Sequence, residues 1–210
     1  MQNIKPATAP QVNDFHILYL HGFLSSPQSS KARQTRVMCE QLGLAGQLLI
    51  PSMYQGPQQT ILQLEQLISS VPKHRLGVIG SSLGGFYATW LAEKYDIPAV
   101  LINPAVRPDE LLDTYLGEHR NYYSDHMHLV TRKHLSELRG LYRPCIRHSE
   151  NFLVLLQKGD QVLDYQQAVS RFGRTRCIIH DGGDHSYQNY AAELPNIIAF
   201  LQSRIESSER

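Results

Sequence analysis

The chain predicts an α/β fold: a mostly parallel sheet with helices on both faces. Three observations carry this reading. Short apolar runs alternate with helix-spaced stripes along the whole length, the pattern of successive β-α units. The strand runs are almost continuously apolar, as strands covered on both faces are. And residues 76–88, LGVIGSSLGGFYA, read as a strand, an abrupt turn of small residues, and the first turns of a helix.

At 210 residues the chain is long enough for one well-cored domain and short for two. The expected organisation is a flexible leader over 1–14, one domain over 15–205 and a tail over 206–210. Twenty basic residues against 19 acidic give a net charge of +1, which argues against nucleic acid or an anionic membrane as main partner. No apolar run approaches the length of a membrane span. The first apolar stretch lacks the flanks of a signal peptide, so a cytoplasmic location is expected. Cys39, Cys145 and Cys177 are odd in number and widely spaced, which suits reduced, mostly buried thiols rather than a disulfide frame or zinc site.

In chain order, Phe15 to Leu20 is a buried-strand run, stopped by His21-Gly22-Phe23. Ala32, Val37, Met38 and Leu42 mark a loose helix face over 31–42. A short strand over 47–53 follows. Pro57 then opens a helix whose stripe is Ile61, Leu64, Leu67 and Ile68. Leu76 to Ile79 is a strand, the next helix runs to about Tyr95, and Ala99 to Ile102 is a fully apolar strand ended by Asn103-Pro104. Between Arg107 and Asn151 the pattern changes: seven Arg/Lys, seven Asp/Glu and five of the ten histidines fall here. With helices expected near 111–116 and over 129–141, this segment reads as a small helical cap inserted at about 107–150. Phe152 to Leu156 resumes the sheet. A helix over 165–172, a strand over 176–180, a glycine-rich loop and a final helix through Leu201 complete it.

Gly80-Ser81-Ser82-Leu83-Gly84 fits G-x-S-x-G, the nucleophile elbow of the α/β-hydrolase fold. A serine on a strand-to-helix corner needs tiny residues two before and two after it. Ser82 has Gly80 and Gly84 there, whereas Ser81 would have Ile79 and Leu83, so Ser82 is the candidate nucleophile. A chance match arises in about one chain in fifteen of this length, so context matters.

A serine hydroxyl needs a base, and the base an orienting acid, in the chain order Ser, Asp or Glu, His. His185 follows the last strand and is the base candidate, ahead of His180 at the strand end. Asp160, directly past Leu156 and Gly159, is favoured as the acid over Asp164, which is better placed to cap the next helix. Asp181 and Asp184 are expected to shape the histidine's own loop. The N–H of Leu83 and that of Phe23, in the loop after the first strand, are the expected oxyanion-hole donors. His126-x-His128 is set aside as a metal pair because on a helix its rings would face different sides. Tyr122-Tyr123 and the arginines of the cap read more readily as solvated surface than as a substrate mouth. Lys31 and Arg33 fit an anionic substrate group and a charged helical turn equally well. No cofactor and no metal are expected.

The runs LYLHGFLSSPQSSK (18–31) and IGSSLGGFYA (79–88), with Gly159-Asp160 and GGDHSY (182–187), resemble the YqiA-like small bacterial esterases over residues 15–202. The resemblance implies an α/β hydrolase active on short acyl esters and on acyl-CoA thioesters, with Ser82, Asp160 and His185 as triad. Acyl transfer on the same residues is the alternative chemistry, and a non-catalytic binding module is the alternative class.

Overall fold

The computed structural model describes residues 15–208. The proposed leader therefore lies outside the described residues. Six parallel strands form the main sheet in the order β2-β1-β3-β4-β7-β8. They are β1 (His16–Leu20), β2 (Leu48–Leu49), β3 (Leu76–Ser81), β4 (Ala99–Ile102), β7 (Phe152–Gln157) and β8 (Arg176–His180). The helices between them are α1 (Ser30–Gln41), α2 (Pro57–Leu67), α3 (Leu83–Tyr95), α6 (Tyr165–Phe172) and α7 (Tyr190–Ser208).

Strand side chains alternate between faces, so each strand supplies two cores. Leu18, Leu20, Val78, Leu101 and Val154 point to one face, against Ile61, Leu64 and Leu91 of α2 and α3. Ile17, Tyr19, Ile79, Val100 and Leu155 point to the other, against α1 and against Leu194, Ile197 and Leu201 of α7. The helix α7 continues to Ser208, beyond the point where the sequence suggests a frayed tail. Within the described residues no helix is long and apolar enough to cross a membrane. Of the three unpaired thiols only Cys39 is fully buried, and Cys145 is exposed.

The insertion between β4 and β7 departs from the expected all-helical cap. It holds α4 (Pro108–Leu111), a 3₁₀ turn over Leu112–Tyr115, an antiparallel hairpin of β5 (Gly117–Arg120) and β6 (Met127–Val130), and α5 (Arg132–Leu141). The helix read from residue 129 begins instead at Arg132, where the Thr131 side chain accepts from the His134 N–H as an N-cap. His126 directly precedes β6 and His128 lies in it, extended backbone that brings the two rings together with centroids 4.8 Å apart. The expectation of opposed helix faces is thereby corrected. Asp109, almost fully buried, is held by Arg107 (3.0 Å) and Arg139 (3.1 Å).

Candidate active site

The chain runs from β1 outward to β2 and then returns to β3 on the other side of β1. Loops leaving the carboxyl ends of β1 and β3 therefore diverge and leave a crevice, the usual ligand position in open α/β sheets. Ser82 sits there, between β3 and α3, with φ 55° and ψ −121°. A non-glycine residue in that region is strained by about 1–3 kcal/mol and persists only where its surroundings hold it. Here they do: the Ser82 N–H donates to Ile102 O (3.0 Å), and its carbonyl accepts from Gly85 N (2.9 Å) and Ala105 N (3.0 Å).

The flanking glycines are required by contact. A Cβ on Gly80 would lie 2.4 Å from Gly84 O, and one on Gly84 would lie 2.1 Å from Leu20 O. Ser81 is buried at the end of β3.

Three side chains from distant parts of the chain meet at this corner. His185 Nε2 is 3.0 Å from Ser82 Oγ, and His185 Nδ1 is 2.8 Å from Asp160 Oδ2. An ionised carboxylate only accepts, so Nδ1 carries the hydrogen and a neutral ring leaves Nε2 to accept from the serine hydroxyl. Asp160 is aimed by two further bonds, its Oδ1 accepting from the N–H groups of Val162 and Leu163 (both 2.8 Å). Asp164 instead caps α6, accepting from Gln166 N at 2.9 Å. Asp181 pairs with Lys158 (2.6 Å) and His180 with Glu193 (2.9 Å), both away from the serine.

Two residues with no recognised role in the sequence hold the histidine loop. Gln157, buried at the end of β7, accepts from the N–H groups of Asp184 (3.1 Å) and Gln188 (2.8 Å) and donates to Gln188 O (2.9 Å). Asn103, buried after β4, donates to Asp184 O (3.0 Å) and accepts from Gln157 N (3.0 Å). Their sequence signal is a polar residue closing an otherwise apolar strand.

The β1 loop approaches the serine closely: a Cβ on Gly22 would lie 3.2 Å from Ser82 Cβ. The next residue is Phe23. Its N–H and that of Leu83, first residue of α3, have no backbone acceptor among the described residues. His21 fixes this loop. Its Nδ1–H donates to Gly22 O (2.9 Å), and its Nε2 accepts from Met53 N (3.2 Å), which requires the neutral ring.

Burial, opposed by the Gly22 carbonyl, lowers the His21 pKa from 6.5 to about 4. A depressed folded-state pKa means that the unfolded chain binds the proton first. Stability is thus fully present above pH 6.5 and is lost as the pH falls towards 4, by about 3 kcal/mol over that interval. Urea unfolding at pH 7 and at pH 4.5 should show this loss in the wild type and a smaller one in His21→Gln. Equal losses would assign the acid sensitivity elsewhere.

Two cavities lie at this corner, the first lined by Ser82 and the second adjoining it across Gly22, Phe23 and Leu83. One, of about 490 Å³, is lined by Ser82, His185, Tyr19, Lys31, Tyr122 and Tyr123. Tyr122 and Tyr123 are exposed, as the surface reading from sequence expects, and they also line this cavity. The other, of about 310 Å³, is bounded by Phe23, Leu83, Met53, Tyr87, Leu112 and Val130, without His185. His128 borders it as well, and burial together with the nearby His126 and His119 holds its pKa below the ordinary imidazole range.

The profile of UPF0227, described as an uncharacterised protein family, matches residues 16–202. The chain belongs to the UPF0227 family. Among UPF0227 relatives, a protein of Shewanella sediminis (strain HAW-EB3) is 30% identical over 193 residues, covering 89% of this chain and 99% of the relative. One from Pectobacterium atrosepticum is 24% identical over 187 residues, covering 88% and 97%. This is the YqiA-like group that the motifs resemble. Solved structures share the α/β-hydrolase fold. Mouse alpha/beta hydrolase domain-containing protein 10 superposes with a TM-score of 0.66 at 18% identity over 90% of each chain. The esterase domain of a Rhodothermus marinus protein gives 0.62 at 18% identity, covering 95% of this chain and 90% of its own. Est1E from Butyrivibrio proteoclasticus with ferulic acid bound gives 0.64 at 12% identity, covering 98% and 93%.

Proposed function

We propose that this UPF0227 protein is a serine hydrolase of carboxylic esters. The observation that carries the reading is the hydrogen-bonded chain from Ser82 Oγ through His185 to Asp160. The esterases among proteins of the same fold support it.

Ser82 Oγ attacks the acyl carbon while His185 Nε2 takes its proton. Asp160 keeps the ring in the tautomer that can accept and stabilises the imidazolium that forms. Negative charge gathers on the carbonyl oxygen, which the N–H groups of Phe23 and Leu83 receive; the position of Leu83 at a helix N-terminus adds to that stabilisation. The leaving alcohol takes the proton back from His185, leaving an acyl-serine. Water, deprotonated by the same imidazole, then releases the acid and restores the serine. Every group used belongs to the chain itself.

A fluorophosphonate should label the protein once, on Ser82, and leave Ser82→Ala unlabelled, as read by mass spectrometry of the modified peptide. Labelling at Ser81 would overturn the assignment of the nucleophile.

A further inference from the structure

The loop that presents the Phe23 N–H is held only loosely by its own backbone. Within it the Ser25 N–H donates to Gly22 O at 3.3 Å, a long bond. Leu24 has φ 53°, a left-handed conformation that a leucine keeps only where its neighbours hold it. A donor for a developing oxyanion has to be in place before the reaction begins, so whatever holds this loop bears on turnover.

Two straps come from the hairpin of the insertion. The Tyr122 N–H donates to Leu24 O (2.9 Å). Asn121 Nδ2 donates to Ser25 O (2.9 Å), across 96 positions of chain. The Phe23 ring lies edge-on against His119, His128 and Tyr115 of the same insertion, with centroids 6.1–6.2 Å away.

Asn121 is where these contacts meet. It follows β5 directly and is only 4% exposed, and its N–H donates to His126 O (2.9 Å) across the hairpin. Its Oδ1 accepts from the Tyr123 N–H (2.8 Å), which fixes the way the amide points. Nδ2 then faces Ser25 O and His128 Nε2 (3.1 Å), one hydrogen for each acceptor. A reversed amide would set its NH₂ against the Tyr123 N–H and its oxygen against Ser25 O. The bond to His128 requires a neutral ring, the form that burial and the nearby His126 and His119 favour. Asn121 lines neither of the two cavities described above, so its route to the reaction is through the loop.

We propose that Asn121 is a positioning residue of the oxyanion hole, its side chain tying the insertion to the Phe23 loop through Ser25 O. This role rests on the serine-hydrolase reading, in which the Phe23 N–H receives the carbonyl oxygen. The hairpin then belongs to the catalytic framework. An N–H that drifts from its place meets the oxyanion poorly, and that contact strengthens in the transition state rather than in the bound ester. Loss of the strap therefore falls on kcat and spares KM.

The test compares Asn121→Ala and Asn121→Asp with the wild type on 4-nitrophenyl butyrate. Asn121→Ala should lower kcat about tenfold and leave KM within about twofold. Asn121→Asp, which sets a carboxylate oxygen against Ser25 O, should lower kcat at least as much. A trifluoromethyl ketone forms a tetrahedral oxyanion adduct on Ser82, and its affinity should fall by about the same factor as kcat. Arg120→Ala opens only an exposed ion pair with Asp125 on the same hairpin, and both quantities should stay at their wild-type values. If Asn121→Ala fails to fold, Asn121→Ser carries the test with the same expected loss, because its shorter side chain does not reach Ser25 O. A folded Asn121 variant with wild-type kcat would overturn the role. So would a loss confined to KM, a fall in kcat without weaker ketone binding, or an equal loss in Arg120→Ala. Fluorophosphonate labelling separates this role from the reading beneath it. Ser82 labelled in every variant with kcat unchanged removes the positioning role alone, whereas a wild type that is neither labelled nor active removes both.

Discussion

Ser82→Ala should lower ester turnover by about a thousandfold or more, and Asp160→Asn by at least about a hundredfold, while Asp164→Asn stays within about twofold. The serine variant loses the attacking atom. The Asp160 variant keeps its shape but changes what the imidazole can do. Asparagine can present an N–H to Nδ1, which then has to accept, so the hydrogen moves to Nε2. There it faces Ser82 Oγ at 3.0 Å, and the ring can no longer take the serine proton. The defect should fall on kcat, because Asp160 is buried beneath the histidine and touches no cavity wall. Asp164 supplies a contrast of the same chemistry at a distance of four residues. It caps α6, and Asn is nearly as good a cap as Asp, so stability as well as rate should hardly change. Steady-state kinetics on a neutral aryl ester reads all three. Comparable losses in the two Asn variants would leave the orienting acid unassigned.

Much of this arrangement is legible in the sequence because its determinants are local. The apolar runs of β1, β3, β4 and β7 have no reading other than doubly covered strands. Gly80 reports a steric need within five residues, against Gly84 O, whereas the need at Gly84 is set by the backbone of Leu20 and His21 and shows in the sequence only through the motif. The hairpin of the insertion is not legible, and β6 shows why. Its buried residues are His128 and Val130, while Met127 and Leu129 are about half exposed. Over Met127, His128 and Leu129 the polar and apolar pattern is thus inverted with respect to burial, and Leu129 reads as the start of the helix that follows. The Asn103–Gln157 clamp is hidden for a different reason. Each residue is an ordinary polar side chain until the fold brings it to the loop holding His185, and Asn103 and Asp184 are 81 positions apart.

Gly84→Ala should destabilise the protein by about 3 kcal/mol or more and remove most of its activity, whereas Gly140→Ala should stabilise it by about 0.5–1 kcal/mol. The chemical change is the same at both positions, and only the surroundings differ. A methyl on Gly84 would lie 2.1 Å from Leu20 O and 2.6 Å from His21 O. Leu20 closes β1 and His21 follows it; both contacts are to backbone oxygens, so neither can turn aside as a side chain would. Relief requires α3 to move away from β1. That shift opens the packing of Phe86, Tyr87 and Leu91 and simultaneously separates the Leu83 N–H from that of Phe23. Stability and turnover are therefore expected to fall together, because one close approach serves both. Gly140 lies inside α5 with nothing within 4 Å of an added Cβ. There alanine only reduces the freedom of the unfolded chain and improves helix propensity. Urea unfolding midpoints of the two variants should move in opposite directions. A Gly84→Ala protein with a wild-type midpoint would mean that the strand and helix are not in the contact on which the elbow depends.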